Sequence, residues 1–196
     1  MTDLIADLLK AEAQAILSIP ADNPFDACVH RFLASARTGG KVVVSGVGKA
    51  GGVGAKIATT LCSVGVPSIF LHPLEAQHGD LGVLGQNDCL LLVSNSGKTR
   101  EVIELTALAR RIHPCVHLST ITAKADSPLA LASDLVLLTG DPPEICPLGL
   151  APTTSATAMS VIGDVLVVRA VQIGEFTKSD YALRHHGGYL GAAAKQ

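Results

Sequence analysis

Apolar positions along this chain follow two different periods. In the first 37 residues they recur at helical spacing. Leu4, Ile5, Leu8, Leu9 and Ile16 fall on one face of a helix that Thr2 can cap and Pro20 ends. Asn23 and Pro24 open a second helix, Asn23 as N-cap and Pro24 at the first helical position, and Gly39 and Gly40 stop it after Arg37. Beyond residue 41 the period shortens. Brief aliphatic runs at 42–44, 67–71, 89–93, 115–118 and 135–138 read as buried strands. Between the first three lie a Gly-rich turn at 45–52, a helix ending near Val64 and a long polar loop at 72–80. Helices at 100–112 and 127–132 follow, then a Pro-rich loop at 139–152 and a long helix ending about Ile173. Residues 175–196 read as a short helix and a tail.

Strands separated by helices predict an α/β fold, a doubly wound five-stranded parallel sheet flanked by helices. The chain reads as one domain over 1–196, with N-terminal helices at 1–38, a βα core at 39–174 and a C-terminal helix and tail at 175–196. In such sheets the ligand sits outside the carboxyl ends of the strands. The loops after the first, second, third and fifth strands are therefore where chemistry is expected.

Composition excludes several classes. The 196 residues carry 15 Lys and Arg against 17 Asp and Glu, a net charge of −2 that argues against a nucleic-acid binder. With 48% apolar and 16% charged residues, disorder is excluded. Aromatics are only 3% and Trp is absent, so the core must be aliphatic. Residues 57–74 and 145–163 lack Asp, Glu, Lys and Arg, but Pro, Gly, Ser, Thr or His interrupt both, and they read as core rather than as membrane spans. Asp3 and Asp7 stand where a signal peptide would be basic. The five cysteines, at 28, 62, 89, 115 and 146, show no CxxC pair, which fits reduced thiols in a cytoplasm.

The first loop, Ser45-Gly46-Val47-Gly48-Lys49-Ala50-Gly51, spaces its glycines as a dinucleotide-binding turn does. His72 and Pro73 stand where that motif needs an acid, and Ala50 follows Lys49 where a P-loop needs Ser or Thr. A plain tight turn would use the same glycines. The third loop gathers the hydroxyls of Ser94, Ser96 and Thr99 before a helix, a cradle suited to a phosphate monoester. A simple N-cap would need only one of them. The second loop carries His72, Glu75, His78 and Asp80, without the spacing of a helical metal pair. The fifth holds Glu144 among Pro142, Pro143 and Pro147, an apolar setting expected to raise its pKa towards that of a general acid or base. The hydroxyl run at 153–157 opens a helix and offers a second ligand-facing N-terminus. Glu101 sits in the first turn after the third loop, where the helix dipole favours an acid in any case. In the tail, His185 and His186 precede Gly187 and Gly188, and a His there can titrate near neutrality.

Together these segments resemble the sugar isomerase (SIS) domain family, and within it the arabinose-5-phosphate isomerases of the Kdo pathway. The residues that carry the resemblance are SGVGKAG at 45–51, FLHPLEAQHGDLG at 70–82, VSNSGKT-x-E at 93–101, PEICPLGLAPTTS at 143–155 and HHGGYLG at 185–191. They run in family order over nearly the whole chain. The Ser-x-Ser-x-x-Thr loop alone says only phosphosugar; its combination with the second-loop, Pro-rich and tail motifs is more specific. The resemblance implies a flavodoxin-like fold and a metal-independent isomerisation of D-ribulose 5-phosphate and D-arabinose 5-phosphate through a cis-enediolate, serving Kdo, lipopolysaccharide or capsule synthesis. It implies that Ser45, Ser94, Ser96 and Thr99, with Gly46 and Asn95 in the same loops, hold the phosphate or nearby hydroxyls. Lys49 would neutralise phosphate or enediolate charge. Glu101, Glu144 and His185 match catalytic positions. Which carboxylate moves the proton stays open, with Glu144 favoured for its more desolvating loop and His185 as proton relay or ring opener. His72 and His78 would line the sugar site, with Gly65 and Val66 near it. His72 also matches a zinc position, where the metal would inhibit; no cofactor is required.

Relatives usually continue into a pair of CBS domains, whereas this sequence stops at Gln196, so the expectation is the catalytic module without that regulation. His185-His186-Gly187 stands where relatives often have His-Pro-Gly, so either histidine can match the family residue, and Lys98 and Thr99 replace Glu and Ser. The resemblance further implies a homotetramer in which the C-terminal His enters a neighbour's site. It implies a small phosphosugar as ligand, CMP-Kdo as feedback ligand, no nucleic-acid or membrane partner, and a cytoplasmic location. Two other readings stand beside it. One is a non-catalytic phosphosugar-sensing SIS module, against which the joint presence of Lys49, Glu101, Glu144 and His185 argues. The other is an isomerase for a hexulose 6-phosphate or sedoheptulose 7-phosphate, since chain length is read by pocket shape.

Overall fold

The computed structural model describes residues 2–185. Its strands are β1 (Val42–Gly46), β2 (Ser68–Phe70), β3 (Cys89–Val93), β4 (His117–Thr122) and β5 (Leu135–Leu138). Its helices are α1 (Thr2–Leu17), α2 (Phe25–Arg37), α3 (Gly48–Ser63), α4 (Pro73–Gln77), α5 (Arg100–Ile112), α6 (Pro128–Ala132), α7 (Thr154–Ile173) and α8 (Lys178–Arg184). The strands form one parallel sheet in the order β2-β1-β3-β4-β5, the doubly wound arrangement expected. Successive strand residues point to opposite faces, and that alternation divides the core in two. Val42, Val44, Leu91, Val93, Ile121 and Leu137 pack against Phe32 of α2, Ile57 and Leu61 of α3, and Met159, Ile162 and Leu166 of α7. Val43, Leu90, Leu92 and Leu118 pack against Val102 and Leu105 of α5 and Leu129 of α6. Phe32 is the one buried aromatic among the described residues, as an aliphatic composition requires. At 20 residues, α7 is long and apolar enough to cross a membrane, but it packs against α1, α2 and α3 with nine of its residues buried.

Several elements differ from the sequence pattern, each for a local reason. Asn23 does not cap α2. Its side-chain amide bonds the Leu138 carbonyl at 2.9 Å and accepts from the Leu138 N–H at 2.7 Å, supplying edge strand β5 with a substitute neighbour. β1 runs on to Gly46, so only Val47 separates it from α3, while β2 is just three residues long. The polar stretch at 72–80 is not a loop throughout. Nδ1 of His72 accepts from the Leu74 N–H at 3.3 Å and starts α4, and a 3-10 turn over Asp80–Val83 follows. β4 lies later than 115–118 because Ser119, Thr120 and Thr122 hide a buried strand behind polar side chains. Thr120 Oγ1 donates to Leu92 O at 3.1 Å and Thr122 Oγ1 to Asn95 O at 3.1 Å, so burial leaves neither hydroxyl unpaired. The apolar stripe of α1 does not face the core: Leu4, Ile5 and Leu9 are 62%, 57% and 66% exposed.

Candidate active site

The strand order reverses between β1 and β3, and at such a switch point the loops leaving the two strands diverge and open a crevice. A cleft of 420 Å³ lies there. Val47, Lys49 and Ala50 come from the start of α3, and Ser94, Asn95, Ser96 and Thr99 from the β3–α5 loop. Glu144, Gly149, Leu150, Pro152, Ser155 and Met159 come from the β5–α7 connection and α7.

Three helices begin at this cleft, and their N-termini differ. The α3 and α5 N-termini have no side-chain cap. At α5, where Thr99 occupies the N-cap position, its hydroxyl instead pairs with that of Ser94 at 2.9 Å. The first amides of both helices are thus left for another acceptor, in a place the helix dipole makes positive. The third N-terminus, that of α7, is filled by Glu144. One oxygen of this carboxylate accepts from the Thr153 N–H at 2.6 Å and from the Thr153 hydroxyl at 2.8 Å. Burial pushes the Glu144 pKa up, but hydrogen bonds from Ser155 and Thr153 outweigh it and hold the carboxyl at about 2. The expectation of a raised pKa is therefore corrected. The Pro-rich loop shields Glu144 as expected, but it also delivers the carboxylate to a helix end rich in donors.

Lys49, Ser94, Asn95, Ser96, Thr99 and Glu144 are brought together as expected. The side-chain oxygen of Asn95 is buried and has no partner among the described residues. Ser45 is fully buried, and its hydroxyl donates to Leu71 O at 2.7 Å, so it ties β1 to the end of β2 instead of lining the cleft. Gly46 allows close approach: a Cβ there would lie 2.9 Å from Val93 O. Glu101 is half-buried in the first turn of α5, outside the cleft wall. His72 is committed to the start of α4, and His78 is exposed behind it.

Gly65 and Val66 follow the far end of α3, whose 16 residues span ~24 Å. Phe176 packs on Gly65, and Arg184 lies over the Phe176 ring at 5.1 Å. His185, next in sequence, stacks on Tyr181 with ring centroids 3.8 Å apart. One chain therefore keeps His185, Gly65 and Val66 a helix length from its own cleft. His186 and the rest of the tail lie outside the described residues. At His72, the expected zinc position, Nδ1 is engaged with the Leu74 N–H, and among the described residues no group of three or more His, Cys, Asp or Glu side chains converges. The cleft residues that the motifs did not single out are mainly apolar, such as Leu150 and Met159. Ser155 belongs to the hydroxyl run already suspected of facing a ligand.

The sequence profile of the SIS domain matches residues 36–169, from the end of α2 into α7. This chain belongs to the SIS domain family. The arabinose 5-phosphate isomerase KdsD of Escherichia coli (strain K12) is 47% identical over 152 residues, covering 78% of this SIS domain chain and 46% of that protein. The chain thus spans about half the length of the curated relatives it matches. Among solved structures, a Bacteroides fragilis NCTC 9343 protein assigned as a phosphosugar isomerase involved in capsule formation superposes with a TM-score of 0.94. Its identity is 54%, over 96% of this chain and 99% of that one. An E. coli CFT073 protein, solved in complex with arabinose 5-phosphate, is 34% identical with a TM-score of 0.84, over 94% of this chain and 98% of that one.

Proposed function

We propose that this SIS domain is an aldose–ketose isomerase interconverting D-ribulose 5-phosphate and D-arabinose 5-phosphate. The observation that carries the reading is the pair of uncapped helix N-termini, α3 and α5, opening on one cleft with Ser94, Ser96, Thr99 and Lys49. Donors in that density, with one cation, suit a phosphate monoester. Similarity to arabinose 5-phosphate isomerases, and to a protein solved with arabinose 5-phosphate, supports the choice of sugar.

The phosphate seats on the α5 amides and the hydroxyl loop, and this remote binding energy fixes the reacting carbons. From the ketose side, a base takes a proton from C1. The C–H electrons form the C1–C2 double bond, and the charge moves to the C2 oxygen, where Lys49 stabilises it. Return of the proton to C2, with transfer of the hydroxyl proton from O1 to O2, gives the aldose. Glu144 is the one carboxylate on the cleft wall among the described residues. It is ionised, as a base must be, but its donors make it weak. Substrate closure must therefore loosen the Thr153 and Ser155 bonds before it accepts a carbon-bound proton.

His185 relays the proton between oxygens from a neighbouring protomer, in a homotetramer whose sites lie at subunit interfaces. The distance of His185 from its own cleft supports this, as do the exposed Leu4, Ile5 and Leu9 on α1 and Leu148 and Leu150 beside the cleft. A cytoplasmic reaction on the way to Kdo, with CMP-Kdo as feedback ligand, goes with this reading.

Proton NMR with D-ribulose 5-phosphate in D₂O tests it. Arabinose 5-phosphate carrying deuterium at C2 is the expected product. No product and no exchange, with thermal stabilisation by the phosphosugar, would turn the reading to a sensing module.

A further inference from the structure

The cleft reading leaves one question: what holds the β3–α5 loop so that its amides face the ligand? Thr122 ends β4, on the side of that loop away from the cleft, and is fully buried. Its hydroxyl donates to Asn95 O at 3.1 Å, and the Ala123 N–H donates to the same carbonyl at 2.9 Å. Two residues on, Gly97 O accepts from the Leu129 N–H at 3.1 Å. Gly97 adopts φ +60°, and a Cβ there would meet Ser127 Oγ at 2.0 Å and Thr122 Oγ1 at 3.0 Å. The β4–α6 connection therefore grips the loop at its carbonyls. In a trans peptide the carbonyl and the following N–H point in opposite directions. Pinning Asn95 O towards Thr122 turns the Ser96 N–H the other way, towards the cleft, and that N–H has no partner among the described residues.

We infer that Thr122 is a positioning residue for phosphate recognition. Its hydroxyl orients the peptide between Asn95 and Ser96 so that the Ser96 N–H is presented to the anion before the ligand arrives. This rests on the phosphate reading of the cleft and adds a group that never touches substrate. Presenting the donor in advance removes an ordering cost from binding. The inference also explains a buried hydroxyl in a strand end where valine would otherwise pack as well.

The test compares Thr122→Val, which keeps the shape and removes the hydroxyl, with Thr122→Ser, which keeps the hydroxyl. Titrating inorganic phosphate into the full chain while following backbone amides by NMR gives Kd and identifies the amides that move. In the wild type, the Ser96 amide is expected to shift with phosphate. In Thr122→Val, Kd is expected to weaken ~5–10-fold, with KM for ribulose 5-phosphate rising in step and kcat changing less. Thr122→Ser is expected to stay within ~2-fold of the wild type. A Thr122→Val protein that melts lower but binds phosphate as tightly as the wild type would reduce Thr122 to a structural residue. Should that variant fail to fold, a wild-type Ser96 amide that ignores phosphate while other cleft amides respond would overturn the inference equally. Phosphate moving no cleft amide at all would overturn the cradle reading together with this one.

Discussion

Replacing Glu144 by Gln tests the electrostatics of the cleft directly. The substitution keeps the shape and one carbonyl acceptor but removes the charge at the α7 N-terminus. A fall in pKa from 4.5 to about 2 corresponds to ~3.4 kcal/mol at 1.36 kcal/mol per pH unit. Glu144 is partly open to solvent, which screens the interaction, so ~1–2 kcal/mol is the effect expected in practice. The folded pKa lies below the unfolded one. The stabilisation is therefore fully present above pH 4.5 and is lost as pH falls towards about 2. Gln does not titrate, so the difference between wild type and Glu144→Gln isolates this group from Asp26 and Asp180, whose pKa values are also lowered. Urea unfolding at pH 7, 4 and 3 should show the variant weaker by ~1–2 kcal/mol at pH 7, with the gap closing at the acid end. A gap that does not change with pH, or none at pH 7, would refute the account. So would a carboxyl titration, followed by carbon NMR, with its midpoint above 4.5. The same logic bears on kinetics. If Glu144 is the base, its own limb in kcat/KM lies near its free-protein pKa of about 2.

Three further outcomes follow from the same geometry. Mixing inactive Glu144→Gln and His185→Ala proteins, each expected to lose ~10²–10⁴-fold in turnover, should restore about a quarter of wild-type activity in randomly mixed tetramers; no recovery would show that each chain uses its own His185. Ser96→Ala should raise KM ~10-fold with kcat largely kept, and an unchanged KM would remove Ser96 from the cradle. Asp88, 2% exposed at its side chain, accepts from the Lys41 N–H at 2.8 Å, from Lys41 Nζ at 2.7 Å and from the Gly85 N–H at 2.8 Å at the amino-terminal ends of β1 and β3, the end of the sheet opposite the cleft. Asp88→Ala should cost ~2–4 kcal/mol in denaturant unfolding without changing KM, and a cost below ~0.5 kcal/mol would refute that role.

Features legible along the chain are those that neighbouring residues control. Aliphatic runs such as 89–93 mark buried strands because the side-chain period is two. The Ser94–Thr99 turn stands out as a cleft loop because glycine and hydroxyls follow a strand end. The pattern places β4 too early because Ser119, Thr120 and Thr122 look like surface residues until their hydroxyls find His117, Leu92 and Asn95. Asn23 looks like a cap because its partner, Leu138, is 115 residues away.

Motif and periodicity are therefore enough to name the family and the sheet and to single out the loops after the strands, of which those after β1, β3 and β5 line the cleft and that after β2 does not. They do not say which of those loops meet. The fold alone joins Lys49, Ser96 and Glu144 in one cleft and withdraws Ser45 into the sheet. It turns the stripe of α1 outward and leaves His185 a helix length from the cleft of its own chain. The reason is physical: charge state, burial and proximity depend on groups close in space, and chain order records only which groups are close in sequence. Glu144 is the clearest case, since its proline-rich flanks suggest a raised pKa until folding sets it against the amides of α7.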